Sequence, residues 1–100
     1  MTESELKEQI ALGNVTKIVF RGIVFDEGLH FAIAVHIQQM RPEHEGFLVR
    51  NSSRGRAVKF FKSLNKAHDL VRAAGWVHED IVIRAPRGST GEALIADYYA

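Results

Sequence analysis

The stretch Leu29-His30-Phe31-Ala32-Ile33-Ala34-Val35-His36-Ile37-Gln38 decides the fold. Large apolar side chains at Leu29, Phe31, Ile33, Val35 and Ile37 alternate strictly with His30, Ala32, Ala34, His36 and Gln38. That is the period of a strand, whose successive side chains point to opposite faces. One face therefore belongs to a core. The alanines and histidines of the other predict a face that is either thinly covered or used in a homodimer, because small side chains allow close approach.

Toward the N-terminus, Asp26-Glu27-Gly28 predicts a short hairpin loop with Gly28 supplying a positive φ. Val15 to Phe25, rich in β-branched and aromatic residues, predicts the partner strand, and Gly22 within it marks a bulge or a close approach of backbone. Farther back, Thr2 and Glu5 have the spacing of a capping box, Leu6 and Ile10 repeat at i, i+4, and Gly13-Asn14 suits a left-handed helix end. A helix over residues 3–12 follows.

Toward the C-terminus, Arg41 to Gly46 interrupts the alternation before Phe47, Leu48 and Val49 resume it, predicting a third strand over 46–51 antiparallel to the second. The turn formers Asn51 to Arg56 separate it from a short fourth strand over 57–61. Ser63 then caps a helix with apolar positions Leu64, Ala67, Leu70, Val71 and Ala74, ended by Gly75 and carrying Lys66, Asp69 and Arg72 on its other face. Asp80 to Arg84 predicts a last strand, stopped by Pro86, and the Ser89–Glu92 capping box predicts a terminal helix over 90–98.

The expected fold is α+β, in the order αββββαβα. It is a two-layer domain in which a mostly antiparallel sheet, a meander of four strands plus the last strand, packs on one main helix. Phe31, Ile33 and Val35 are expected to bury against Leu64, Leu70 and Val71. The 100 residues, 46% apolar and 25% charged, make one domain over 1–100. There are no cysteines, hence no disulfide and no thiolate zinc site. The polar start MTESELKEQIALGN does not read as a secretory signal, and no segment reaches the ~18 apolar residues of a membrane span. A soluble, cytoplasmic protein without membrane association is expected.

Charge is sorted along this nearly neutral chain. Residues 1–40, 41–72 and 73–100 carry net charges of −2, +5 and −2. Between Gly46 and His68 stand Arg50, Arg54, Arg56, Lys59, Lys62 and Lys66 without one Asp or Glu. Such a run predicts a surface for an anionic partner, either DNA bound without sequence preference or an acidic protein; the plain alternative is a solvated face. Arg54-Gly55-Arg56, on a turn tip, is placed to reach phosphates or carboxylates bidentately. Phe60 and Phe61 stand between Lys59 and Lys62, an interleaving that stacks bases in some nucleic-acid binders. Strand alternation, however, sends one ring to each face, which favours core roles.

No reaction is specified. His30 and His36 lie about 20 Å apart along one strand and cannot share an ion, and His44, His68 and His78 lack a partner at ligand spacing. Ser52-Ser53 has no nucleophile-elbow context. Gly88-Ser89-Thr90-Gly91 lacks the lysine and glycine spacing of a phosphate loop and reads as a helix cap. Asp26-Glu27 and Glu79-Asp80 are adjacent pairs on turns, unsuited to separated acid and base roles. No catalytic residue, metal site or cofactor is expected, and the protein is read as no enzyme.

The segment FLVRNSSRGRAVKFFKSLNKAHDLVRAAGWVHEDIVI, residues 47–83, resembles the core of small plasmid-encoded partition-associated proteins of the ParC-like type. The matching elements are Arg50, Arg54, Gly55, Phe61, Lys62, Ser63, Leu64, Ala67 and Gly75, mostly folding signals, and the terminal helices lie outside them. The resemblance implies an accessory protein of a mobile element acting in plasmid maintenance, and it brings no catalytic residues. Two functions follow as expectations: a DNA-associated module using the Arg50–Lys66 face, or a regulator or inhibitor, such as an anti-defence protein, that occupies a partner surface.

Overall fold

A computed structural model describes residues 1–25, 28–41, 43–44, 46–51, 58–78 and 81–84. In chain order its elements are α1 (Glu3–Ala11), β1 (Val15–Phe25), β2 (Gly28–Ile37), β3 (Phe47–Leu48), β4 (Phe60–Phe61), α2 (Leu64–Ala73) and β5 (Val82–Arg84). This is the expected α+β order as far as β5. The predicted helix over 90–98, the Gly88–Gly91 cap and the Ser52-Ser53 turn lie outside the described residues.

β1 and β2 form the long central hairpin, antiparallel in register from Lys17↔His36 to Phe25↔Gly28. Gly28 has φ +121°, the positive value expected of the loop glycine. The expected bulge at Gly22 is absent: Gly22 stands in register opposite Phe31, and the irregularity lies between Val15 and Lys17. There Thr16 is the extra residue, and its hydroxyl donates to His36 O at 3.2 Å.

The meander continues only to β3, which pairs with β2 through Ala34↔Leu48 and Val35↔Phe47. β4 returns to the same edge of β2, farther toward the hairpin, through Phe31↔Phe61 and Ala32↔Phe60. β3 and β4 thus share one strand as partner, and a single antiparallel bridge, Arg50↔Val58, joins the chain segments between them. β5 adds to the opposite edge, parallel to β1 through Val19↔Val82, Phe20↔Ile83 and Arg21↔Arg84. The sheet is therefore mixed. α2 supplies the crossover from β4 to β5 that two strands running in the same direction require.

Both helix starts are capped as their residues predict. Glu5 N donates to Thr2 Oγ1 at 3.2 Å, and the Thr2 hydroxyl in turn donates to Glu5 Oε1 at 3.1 Å, so this box closes between side chains. Lys66 N donates to Ser63 Oγ at 3.3 Å. At the far end of α2, Gly75 has φ +107°, and Arg72 donates through Nε to His68 Nε2 and through Nη1 to Trp76 O. A cation in the last turn complements the helix dipole.

One face of the sheet packs under both helices. Ile18, Phe20, Phe31, Ile33, Val35, Val49 and Phe61 meet Leu6 of α1 and Ala67, Val71 and Trp76 beyond, with Leu64 and Leu70 partly buried against them. The expected contact of β2 with the main helix is thus formed. Leu29 departs from it, because at the hairpin end its face runs past the helices, and with its cross-strand partner Val24 it is exposed.

The other face is buried as well. Ala32 and Ala34 are 0% exposed, and Val19, Ile23, Leu48 and Val58 surround them. His30 is buried there too, its Nδ1 3.1 Å from Gly28 O and its ring edge-on to Phe25. The alanine–histidine face is therefore not thinly covered: Ala32, Ala34 and His30 are buried within the chain itself. Each alanine lies between larger residues on neighbouring strands, Ala34 between Val19 and Leu48, Ala32 between Arg21 and Phe60.

Candidate partner-binding groove

The N-terminal residues place acids against the basic run. Met1 and Thr2 lie beside β3: the Met1 ammonium donates to Leu48 O at 2.9 Å, Arg50 N donates to Met1 O at 2.7 Å, and Thr2 forms a parallel bridge with Arg50. α1 then leaves from this edge with Glu3 and Glu5 in its first turn. Lys59 Nζ donates to Glu3 Oε1, and Arg50 Nη2 lies 3.7 Å from Glu5 Oε1. Two of the basic side chains thus face carboxylates about fifty residues away in sequence, beyond the reach of any local reading of charge.

Of the six residues expected to form one anionic-partner face, Arg50, Lys59, Lys62 and Lys66 lie among the described residues. Arg54 and Arg56 lie outside the described residues. Arg50 is half-buried, and its Nε is buried without a hydrogen-bond partner. It lines a groove of about 640 Å³ together with Met1, Glu5, Glu8, His44 and Phe47. Lys62 is exposed between β4 and α2. Lys59 and Lys66 do come together, on a second groove of about 760 Å³ between α1 and α2.

That second groove is lined by residues from three parts of the chain. α1 contributes Glu3, Ser4 and Lys7; the β4 strand and the residue before it contribute Lys59, Phe60 and Phe61; α2 contributes Lys66, Asp69, Leu70, Ala73 and Ala74. Its apolar part is made by Phe61, Leu70 and the two alanines, and Lys59 Nζ stands 5.7 Å from the centre of the Phe61 ring. The aromatic pair splits as alternation requires, Phe61 toward the helices and Phe60 toward the opposite face against Phe25. Stacking of both rings on bases is not available to this arrangement.

Lys7 is the basic residue that sequence reasoning missed. It belongs to the acidic N-terminal third, and only the pairing of Met1-Thr2 with β3 carries α1 to the groove. One signal was present: Glu3, Lys7 and Ile10 fall at i, i+4, i+7 and so share one face of the helix. Among the described residues no group of three or more His, Asp or Glu side chains is placed to hold a metal ion, and no helix is long and apolar enough to cross a membrane. No protein-family model, curated protein or solved structure matches the chain.

Proposed function

We propose that this protein is a non-catalytic accessory module that binds an anionic partner through the groove between α1 and α2. The observation that carries the reading is the gathering of Lys7, Lys59 and Lys66, from three separate parts of the chain, around one concave surface. Concave sites with an apolar lining and a few convergent charges are where proteins hold partners. The plasmid-maintenance setting is part of this proposal and rests on the resemblance of residues 47–83 alone. A homodimer, also proposed, is supported by β5, an edge strand among the described residues, where Val82 and Ile83 are exposed.

The test is retention on immobilised heparin, a general polyanion, at low ionic strength. The wild-type protein is expected to bind and to elute with salt, and the variant Lys7→Ala/Lys59→Ala/Lys66→Ala to elute early with an unchanged circular dichroism spectrum. Wild-type protein that passes straight through, or a triple variant retained as well as wild type, removes the groove as the anion-facing surface.

A further inference from the structure

Resting on that reading, we infer that the occupant of the α1–α2 groove is a peptide segment of a partner protein in which an Asp or Glu is flanked by apolar residues. The groove is lined by charges of both signs, Lys7, Lys59 and Lys66 together with Glu3 and Asp69. A nucleic-acid backbone offers a charge at every phosphate and gains affinity from each one neutralised. Here two carboxylates of the same surface would lie against that backbone, and juxtaposed like charges weaken the hold on any polyanion, leaving binding that survives only at low ionic strength. A peptide meets no such conflict, because its charges are spaced and its apolar side chains have a place on Phe61, Leu70, Ala73 and Ala74. Both the charge pattern and the lining therefore complement a segment of mixed character.

The protein already holds one carboxylate in the manner proposed. Glu3 approaches from the first turn of α1 and accepts from Lys59 Nζ while Lys59 lies near the face of Phe61. A partner's Asp or Glu reaching the same ammonium displaces Glu3, which is half exposed and loses little by returning to water. Glu3 thus acts as a tethered competitor that sets the affinity. Removing its charge frees Lys59 for the incoming carboxylate.

A phage-displayed random dodecapeptide library, selected on the 100-residue chain, tests this. Enriched peptides are expected to carry an Asp or Glu beside Leu, Ile or Phe. A synthetic copy should bind about fivefold to tenfold more weakly to Lys59→Ala/Lys66→Ala, and Lys66→Ala alone should show the same direction with the Glu3 pair intact. Glu3→Gln should bind more tightly than wild type, and a peptide with its acid changed to the amide should lose affinity. No enrichment, peptides without acids, or affinities indifferent to the lysines overturn the inference. A parallel titration with a twenty-base-pair duplex separates the two levels. Duplex binding that the lysine variants abolish, without peptide binding, refutes the peptide and leaves the anionic-partner groove standing; wild-type protein that heparin does not retain at low ionic strength refutes both.

Discussion

Glu3 and Lys59, 56 positions apart in the chain, form an ion pair that ties the first turn of α1 to the approach of β4. The pair brings an acidic terminus and a basic centre, separate in sequence, onto one surface. Both side chains are roughly a third to a half exposed, so solvent screens the attraction and side-chain entropy offsets part of it. Glu3→Gln is therefore expected to lower stability by less than about 1 kcal/mol. A double-mutant cycle with Lys59→Met, read from urea denaturation midpoints, should give a small coupling that shrinks further in 1 M salt. A large, salt-insensitive coupling would mean that this contact is shielded from water.

Gly46 is expected to be the glycine least tolerant of substitution at the β2–β3 edge. It has φ +95°, and a Cβ there would stand 3.1 Å from His36 Nε2 and 3.2 Å from Ala34 Cβ. Backbone strain and crowding add, predicting that Gly46→Ala costs about 2–4 kcal/mol. Gly13 provides the control, since it too has a positive φ, +72°, but its added Cβ would meet open space. Gly13→Ala should cost about 1–2 kcal/mol, the strain alone. Equal losses in thermal or urea unfolding would show that packing against His36 contributes nothing.

Ile33 tests the core on the helix side of the sheet. It is fully buried at the centre of β2, opposite Phe20, and belongs to the cluster that includes Val71. Ile33→Val should cost about 0.5–1.5 kcal/mol through the lost methylene. Ile33→Asp places an unpaired charge in the core and should abolish folding, since marginal stability cannot offset it. An Asp variant with native circular dichroism and an unchanged melting temperature would contradict this assignment.

The elements that were legible in the sequence are those whose signals are local. The alternation of Leu29 to Ile37, the capping pairs Thr2–Glu5 and Ser63–Lys66, and the left-handed Gly13 and Gly75 need no knowledge of distant chain. Pairings of short strands carry no such mark. Phe60-Phe61 contains nothing that directs it to β2 in place of β3, and Val82–Arg84 nothing that makes it parallel to β1; bulk topology decides both. The candidate site followed the same division. Lys59 and Lys66 were visible as members of a basic run, but Glu3 and Lys7 join them from an α1 whose start is held by the bridge between Thr2 and Arg50. Burial of Ala32 and Ala34 was hidden for a related reason, since their cluster includes Leu48 and Val58, which lie distant in sequence.

In a chain whose amine is free at Met1, stability should depend on pH through that group. Its ammonium donates to Leu48 O, and burial there, helped by the nearby Arg50 guanidinium and opposed by Glu5, holds its pKa below the ordinary 8.0. The folded state therefore releases this proton more readily than the unfolded chain, so the unfolded chain binds more protons between the two pKa values. Stability must then rise with pH across that window. Below it the folded state carries the full penalty of a partly desolvated ammonium; above about 8 the penalty is gone. The urea midpoint of the free-amine protein should climb from neutral pH toward pH 8.5 relative to an Nα-acetylated preparation, in which this group cannot titrate. Other titrating groups cancel in the comparison. Parallel profiles for the two preparations, or a free-amine midpoint that falls relative to the acetylated one, would show that the Met1 ammonium is not destabilised beside Leu48 and Arg50.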